Sequence, residues 1–287
     1  MKPAPFEYHV PESVDDVVAL LAEHGDEAKP LAGGQSLVPM LALRLTRFEH
    51  LVDLNRVEAL THVEERDGAL VVGAMTRQAA LERNGATAVP LLGLATPLIG
   101  HFQIRNRGTV GGSIAHADPA AELPAVTLTL DATLEVTSTS GTKDVAAADF
   151  FVGTWTTALG DDELLSAIRF PMWSGRCGFA IEEVARRHGD FALTGAVCAV
   201  AIDDNNIVER AAITLLGMGS TPLRAAAAEQ VLVGSSGDPS SLAEIAQLAI
   251  ADLDPPEDIH ASSRYRRSVG AHVVERALAD ALQEARS

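Results

Sequence analysis

The predicted fold depends on one ten-residue segment, Arg105-Asn106-Arg107-Gly108-Thr109-Val110-Gly111-Gly112-Ser113-Ile114. A glycine pair lies between two hydroxyl residues, Thr109 and Ser113, and follows two arginines. Glycine lets another group approach the main chain closely, and successive N–H groups in such a turn can form a concave anion site. The segment therefore predicts an anion-binding turn, although a glycine pair is also common in ordinary tight turns.

A second segment of the same kind lies upstream, Leu31-Ala32-Gly33-Gly34-Gln35-Ser36-Leu37. It follows a predicted short strand at residues 29–32 and precedes a helix, and a helix start favours an anion. Two such turns, more than seventy residues apart, predict one diphosphate held from two sides. For either turn alone, a simple tight turn remains the alternative. The pattern is not GxGxxG and no βαβ repeat follows, which disfavours a Rossmann fold.

Length and charge limit the class of protein. The chain has 287 residues, enough for two or three domains and for a sizeable core. Its net charge of −17 argues against a nucleic-acid surface or an anionic membrane surface, because both need clustered Lys and Arg. We expect the acidity to serve solubility.

The cysteine count limits the metal chemistry. Cys177 and Cys198 are the two cysteines of the chain, whereas an iron–sulfur cluster needs about four thiolates. They also lack the CxxC spacing of a zinc site.

The N-terminal residues show no apolar signal-peptide core, and no apolar run approaches the roughly 18 residues of a membrane span. We therefore expect a cytoplasmic protein with no metal ligands and no membrane span.

Local patterns predict a mixture of helices and strands. A helix is expected from residue 14, with Ser13 as its N-cap and Gly25 at its C-terminus. The composition changes at residues 173–176, which predicts a domain boundary. Beyond it we expect three antiparallel strands at residues 179–184, 196–202 and 211–216, and helices at residues 222–232, 240–253 and 269–285.

No nucleophile elbow, HExxH motif or P-loop is present. His101, His116 and His188 lie near the segments of interest, and the sequence assigns them no role. The charged turn at residues 186–191 ends in an aromatic residue, Phe191. It is either a solvated loop or an aromatic tip close to a flat ligand, and both interpretations remain open at this point.

Taken together, these segments resemble one protein family. The chain is similar to the FAD-binding medium subunit of the molybdenum hydroxylases, the multi-subunit relatives of xanthine dehydrogenase and aerobic carbon monoxide dehydrogenase. The resemblance covers essentially the whole chain. The matching segments, in chain order, are residues 6–11, 31–39, 50–54, 103–113 and 186–192.

The resemblance implies an α+β fold. Residues 1–175 are expected to form a vanillyl-alcohol-oxidase-type (PCMH-type) FAD-binding domain, with subdomains at about residues 1–55 and 56–175. Residues 176–287 are expected to form a C-terminal α+β domain with a three-stranded antiparallel sheet.

The resemblance also implies where FAD is bound. Both turns are expected to hold the diphosphate through N–H groups and hydroxyls. A valine introduced at Gly33 or Gly111 is therefore expected to contact the diphosphate and abolish FAD binding, while the protein still folds. Gln35 replaces a histidine that some members carry, and Ser113 replaces a frequent asparagine; Gln35 cannot form a histidyl–flavin bond, so we expect dissociable FAD. The expected FAD-binding residues are Leu31, Ala32, Gly33, Gly34, Gln35, Ser36, Leu37 and Val38 in the first turn, Thr109, Val110, Gly111, Gly112 and Ser113 in the second, Ile99 and Leu165 or its neighbour Leu164 at the flavin ring, Glu122 at the ribose–ribityl side, and Phe191 at the flavin.

The implied function is electron transfer within an assembly. In this family a large subunit carries the molybdenum cofactor and a small subunit carries two [2Fe–2S] clusters, so we expect both partners, in a dimer of heterotrimers. Electrons would pass from the clusters to FAD and on to an external acceptor, with no catalytic acid or base in this chain. Two alternatives remain open here: an autonomous FAD-dependent oxidase or reductase, and a scaffold that has lost FAD. The sequence specifies neither the substrate nor the acceptor.

Overall fold

The computed structural model describes residues 2–84 and 87–287 of the chain. The N-terminal part is a small parallel sheet, in which β3 (His50–Asp53) lies between β1 (Glu7–His9) and β2 (Ala28–Leu31). Helix α1 (Val14–His24) connects β1 to β2, and α2 (Leu37–Leu43) connects β2 to β3. The first glycine turn is thus the connection between a strand and a helix.

Helix α1 has the predicted ends. The Ser13 hydroxyl accepts a hydrogen bond from the Asp16 N–H at 3.1 Å, and Gly25 follows the helix with a φ of 52°. Such a positive φ costs glycine little. Val17 and Leu21 are fully buried and anchor the helix on the parallel sheet.

The middle part is built around a five-stranded antiparallel sheet. Its order is β4-β5-β10-β6-β7, and the second glycine turn leads into α6, which packs against β10. The elements of this part are β4 (Val63–Arg66), β5 (Ala69–Gly73), α3 (Gln78–Asn84), α4 (Pro90–Ala95), α5 (Phe102–Arg105), α6 (Val110–His116), α7 (Glu122–Thr129), β6 (Thr133–Ser138), β7 (Gly141–Ala146), α8 (Ala147–Phe150), β8 (Phe151–Gly153), β9 (Thr156–Thr157) and β10 (Leu164–Pro171).

The C-terminal part is an antiparallel sheet covered by helices. Its order is β11-β12-β13-β14, and the long helix α11 packs on β11 and β12. The elements are β11 (Arg176–Val184), β12 (Thr194–Ile202), β13 (Val208–Leu216), β14 (Leu223–Arg224), α9 (Ala226–Leu232), α10 (Pro239–Ile250) and α11 (Ser263–Arg286).

The fourth strand, β14, corrects the prediction of a three-stranded sheet and of a helix beginning at residue 222. Leu223 and Arg224 pair with β13, and the Ala225 N–H donates to the Ile213 carbonyl at 2.9 Å. The Arg224 guanidinium also hydrogen-bonds the Leu128 carbonyl at 3.1 Å. These tertiary bonds occupy the backbone where the local pattern favoured a helix, so α9 begins at Ala226.

Helix α7 joins the middle and C-terminal parts. Every residue from Glu122 to Thr129 is buried, as expected for a helix that is packed on all sides. It contacts β12 and β13 on one side and α4 and α6 on another. The first residue of α7, Glu122, is therefore a glutamate buried inside the protein.

Candidate functional site

A deep cavity of about 620 Å³ lies where the three parts of the chain meet. This volume falls within the usual range for small-molecule and cofactor sites, roughly 300–1,000 Å³. Its walls come from the β2–α2 turn, the start of α6, the start of α7, β9 and the turn at residues 186–191. Both glycine turns thus face one space, as the sequence predicts.

The first turn offers unpaired backbone donors to this cavity. The first bonds of helix α2 are Val38 N–H to Gly34 carbonyl at 3.1 Å and Met40 N–H to Ser36 carbonyl at 3.2 Å. Within residues 2–84 and 87–287, the N–H groups of residues 34–37 donate no hydrogen bond. Residues 34–37 all line the cavity. Four consecutive free donors at a helix start are suited to an anion.

The second turn is different, because the N–H groups of residues 110–113 already donate hydrogen bonds within the chain. Val110 donates to the Thr76 carbonyl at 2.9 Å and Gly111 to the Ala74 carbonyl at 2.8 Å. Gly112 and Ser113 donate to the side chain and the carbonyl of Thr109, both at 3.1 Å. The expectation that this turn presents free N–H groups is therefore wrong for residues 110–113, whereas the Thr109 N–H donates no hydrogen bond among the described residues. The turn also places the hydroxyl residues Thr109 and Ser113 at the cavity.

The glycines let main-chain segments approach each other. A Cβ at Gly33 would lie 2.8 Å from the Gly108 Cα, and a Cβ at Gly111 would lie 2.7 Å from the Ala74 Cα. Both distances are shorter than any real Cβ contact. A Cβ at Gly112 would lie 3.2 Å from the Ala32 side chain. The glycines at 33 and 111 are thus needed for contact within the protein. An added side chain there would disturb this packing, which bears against the expectation that the protein would still fold unchanged.

A network of side-chain hydrogen bonds connects the two glycine turns. The Arg77 guanidinium donates to the Arg107 carbonyl and, at 2.5 Å, to the Asn55 side-chain oxygen. The Asn55 amide in turn donates to the Ala32 carbonyl at 3.1 Å, and the Asn55 N–H donates to Asp53 at 2.9 Å. The two turns therefore form one rigid wall of the cavity.

Most of the predicted residues line the cavity, and three do not. Val110 is fully buried in the apolar core, Val38 is half-exposed, and the side chains of Val38 and Leu31 lie next to Gly34. The predicted residues that line it are Ala32, Gly33, Gly34, Gln35, Ser36, Leu37, Ile99, Thr109, Gly111, Gly112, Ser113, Glu122, Leu165 and Phe191, together with Leu164.

Glu122 is an unusual carboxyl in this wall. Its side chain is 4% exposed. Burial, with a smaller contribution from the charges of Glu183 and Asp118, raises its pKa to about 8. Burial likewise raises the pKa of Glu183 to about 7, and one Glu183 carboxyl oxygen has no hydrogen-bond partner among the described residues. At neutral pH Glu122 is mostly protonated and can donate a hydrogen bond to a ligand.

Several further residues of the cavity carry no sequence signal. His116, which the sequence left without a role, stacks on Trp155 with ring centroids 6.3 Å apart, and the Trp155 indole N–H donates to Asp118 at 3.2 Å. Burial lowers the pKa of His116, so this ring is neutral near pH 7. The Gln78 side-chain oxygen is buried without a partner among the described residues, and Gln78 lines the cavity. It is an acceptor available to a ligand.

Two touching segments border one edge of the cavity. A Cβ at Gly189 would lie 2.8 Å from the His101 ring, and the rings of His101 and His188 are 6.0 Å apart. Phe102 and Phe191 are 63% and 59% exposed at this edge. The charged turn is thus neither isolated nor fully solvated, because it borders the cavity.

These features define a class of protein. An α+β fold that brings two glycine turns to one cavity, with anion donors in one turn and both apolar and polar side chains in the remaining wall, is suited to a dinucleotide cofactor. Among the described residues, no helix is both long and apolar enough to cross a membrane.

Comparison with known proteins gives the family. A family described as "FAD binding domain in molybdopterin dehydrogenase" matches residues 4–173, and one described as "CO dehydrogenase flavoprotein C-terminal domain" matches residues 179–281. The chain belongs to this family of FAD-binding subunits of molybdenum-containing oxidoreductases.

Individual relatives agree along the whole chain. It is 42% identical to the 6-hydroxypseudooxynicotine dehydrogenase complex subunit alpha of Paenarthrobacter nicotinovorans, over 100% of this chain and 97% of the relative. It is 38% identical to the carbon monoxide dehydrogenase medium chain of Hydrogenophaga pseudoflava, over 97% of each chain. A solved structure of Cu,Mo-CO dehydrogenase matches with a TM-score of 0.96 and 37% identity, covering 99% of this chain and 100% of the other.

The cavity fits the FAD that the family implies. The free N–H groups at residues 34–37 suit a diphosphate. The Gln78 oxygen lacks a donor among the described residues and suits a hydroxyl or N–H of a ligand. Ile99 and Leu165 provide apolar wall for a flat ring system. The chemistry of the donors and acceptors present is therefore that of an FAD site.

Proposed function

We propose that this chain is the electron-transfer subunit of a molybdenum-containing hydroxylase or dehydrogenase. It would receive electrons from [2Fe–2S] clusters of a small partner subunit and deliver them, through bound FAD, to an external acceptor. The observation that carries the proposal is the cavity, where four unpaired N–H groups and the hydroxyls of a second turn face one space. The relatives named above, which are subunits or chains of dehydrogenases, support it.

The residues of the two turns have different tasks in this proposal. The N–H groups of residues 34–37 bind the diphosphate, and the hydroxyls of Thr109 and Ser113 donate from the opposite side. Arg77 and Asn55 hold the two turns at a fixed separation, so that binding needs little rearrangement. Such preorganised donors bind an anion without the cost of ordering them first.

The remaining lining residues position the other end of the cofactor. Bound FAD supplies the one- and two-electron redox chemistry, and the protein binds, orients and electrostatically tunes it. Ile99, Leu165 and Phe191 border the ring. The protonated carboxyl of Glu122 donates a hydrogen bond on the ribose–ribityl side. Gln35 forms no covalent bond to the flavin, so FAD is dissociable.

The partner surface is proposed at the edge of the cavity bordered by the turn at residues 186–191. Short distances favour electron transfer, and the exposed rings of Phe102 and Phe191 lie at this edge. Aromatic residues are enriched at protein interfaces. The assembly proposed is a dimer of heterotrimers with a large molybdenum-cofactor subunit and a small iron–sulfur subunit. Within this chain, we propose the division into residues 1–175, with subdomains of about 1–55 and 56–175, and residues 176–287.

The experiment compares two isosteric changes at the first turn. Ser36→Asp adds a carboxylate beside the free N–H groups, whereas Ser36→Asn has nearly the same shape and no charge. Two unit charges about 5 Å apart at an effective dielectric constant of about 20 repel by about 3 kcal/mol. We therefore expect Ser36→Asp to weaken FAD binding by about two orders of magnitude, measured by flavin fluorescence during titration, and Ser36→Asn to weaken it far less.

A second arm of the experiment tests the electron-transfer role. The FAD-loaded chain is mixed without oxygen with the dithionite-reduced small subunit, and the loss of flavin absorbance is followed. Fast bleaching supports the proposal. Equal FAD affinity in the two Ser36 variants would contradict the diphosphate assignment. Rapid reduction of the isolated chain by an organic substrate would favour the autonomous oxidase or reductase.

A further inference from the structure

Three histidines outside the cavity come together from three separate elements. His9 ends β1, His24 ends α1 and His50 begins the central strand β3. Each offers one ring nitrogen, and these three nitrogens all lie within 4.8 Å of one another. None of the three lines the FAD cavity, so the cofactor site does not account for the cluster.

The strand register and the position of helix α1 explain why these three histidines lie close together. In the parallel register, Glu7 lies opposite His50 on one side and Ala28 lies opposite it on the other. His9 is two residues beyond Glu7 and therefore faces the same side of the sheet. Helix α1 ends at His24, four residues before β2 begins at Ala28. The loop that enters β2 thus brings His24 to the same corner.

The distances are those of a metal site that is almost assembled. His9 Nε2 and His50 Nδ1 are 3.1 Å apart. Two nitrogens on one tetrahedral Zn²⁺, with bonds of about 2.0–2.1 Å, are about 3.3 Å apart. The His24 and His50 rings stack with centroids 3.8 Å apart, so in the proposed site the His24 ring turns out of this stack, and its ligating nitrogen starts within 4.8 Å of the other two.

An acidic group is also within reach. A Glu7 carboxyl oxygen lies 3.7 Å from His50 Nδ1, and the Glu7 side chain is largely exposed, whereas the His50 ring is mostly buried. Imidazole nitrogen with one carboxylate oxygen is a donor set that suits Zn²⁺ and related divalent ions. Glu7 is outside the three-histidine group and is offered as the fourth ligand because of its proximity to His50.

We propose that His9, His24 and His50, with Glu7 as the fourth ligand, bind one divalent transition-metal ion of the Zn²⁺ type. The bound ion ties β1, the end of α1 and β3 together. It is a structural site, distinct from the FAD cavity and independent of electron transfer. A single hydrogen bond between His9 and His50, with no affinity for metal, is the competing explanation.

The test measures metal binding directly on the untagged, FAD-loaded chain after removal of metals with a chelator. Titration with ZnCl₂ in a calorimeter is expected to show one strong site per chain, and CoCl₂ is expected to give the visible absorption of tetrahedral Co²⁺. His24→Ala should weaken Zn²⁺ binding at least about tenfold, because loss of even an outer-sphere partner costs a metal site 10- to 100-fold. His272→Ala is the matched control, since His272 is exposed on α11 and lies outside the cluster.

Two results would overturn the proposal. One is the absence of a stoichiometric site in the wild-type chain. The other is an equal Zn²⁺ affinity in His24→Ala and His272→Ala. A second variant, His50→Ala, and the FAD content of every preparation show whether a loss comes from unfolding. Loss of Zn²⁺ binding with full FAD content supports the site, and because FAD binding is read separately, failure here leaves the proposed function untouched.

Discussion

Replacing Glu122 by glutamine tests whether this carboxyl is buried in its neutral form. Burial raises the pKa of Glu122 from its ordinary value of 4.5 to about 8. In the unfolded chain the group ionises at its ordinary pKa, so the unfolded state loses its proton first as the pH rises. Stability is then fully present below about pH 4.5 and is lost progressively until the pH passes about 8. Glutamine has the same shape and cannot ionise, so it removes this pH dependence.

The magnitude follows from the two pKa values. Each tenfold difference between the ionisation constants of the folded and unfolded states is worth about 1.4 kcal/mol. Between pH 5 and pH 8, ionisation of Glu122 in the unfolded chain should lower the free energy of unfolding by about 3 kcal/mol. Glu183 also titrates in this range, with a pKa of about 7, but it is present in both proteins. The difference between the wild-type chain and Glu122→Gln therefore reports the ionisation of Glu122 together with its interaction with Glu183.

The assay is urea unfolding of the FAD-free chain at several pH values. We expect Glu122→Gln to gain about 3 kcal/mol relative to wild type on going from pH 5 to pH 8. The control is Glu257→Gln, a change at an exposed loop carboxyl, which should follow the wild-type curve. Parallel curves for Glu122→Gln and wild type would show that Glu122 is ionised in the folded protein and would refute this argument.

Two further predictions concern the glycine turns. Because Gln35 cannot form a histidyl–flavin bond, acid precipitation should leave all the flavin in the supernatant; flavin in the pellet would reveal a covalent link. Gly111→Ala should destabilise the FAD-free chain by about 1–3 kcal/mol in urea, the usual cost of overpacking, because a Cβ there meets the Ala74 backbone. Gly153→Ala, where the nearest atom to a Cβ is 3.9 Å away, is the control, and equal stability of the two variants would contradict the packing argument.

The positions of the glycine turns could be predicted from sequence, whereas their separate tasks could not. Gly33 and Gly111 stand out locally because glycine pairs with neighbouring hydroxyls are recognisable at short range. Their packing partners, Gly108 and Ala74, belong to other segments, and no local pattern indicates which backbone will come close. The sequence therefore did not indicate that Gly33 and Gly111, besides lining the cavity, allow close contact between main-chain segments.

The same limit explains the residues that the sequence missed. Gln78, His116 and Trp155 reach the cavity from α3, the end of α6 and the β8–β9 connection. Each has an ordinary polar or aromatic setting in the sequence, and tertiary packing brings them together. Strand β14 was missed for a related reason, since two residues paired to β13 leave too short an alternation to recognise.

The contrast between the two turns indicates how the site is built. The N–H groups of Gly111 and Gly112 are bonded within the chain, so α6 is held in place whether or not a ligand is bound. The N–H groups of residues 34–37 find no partner among the described residues, and unpaired backbone donors cost free energy when they are removed from water. A bound diphosphate would satisfy them and recover that cost. In the proposed FAD site, the second turn would therefore serve as the fixed support and the N–H groups of the first turn would bind the diphosphate. A charge added at Ser36 should then affect FAD binding far more than it affects the fold.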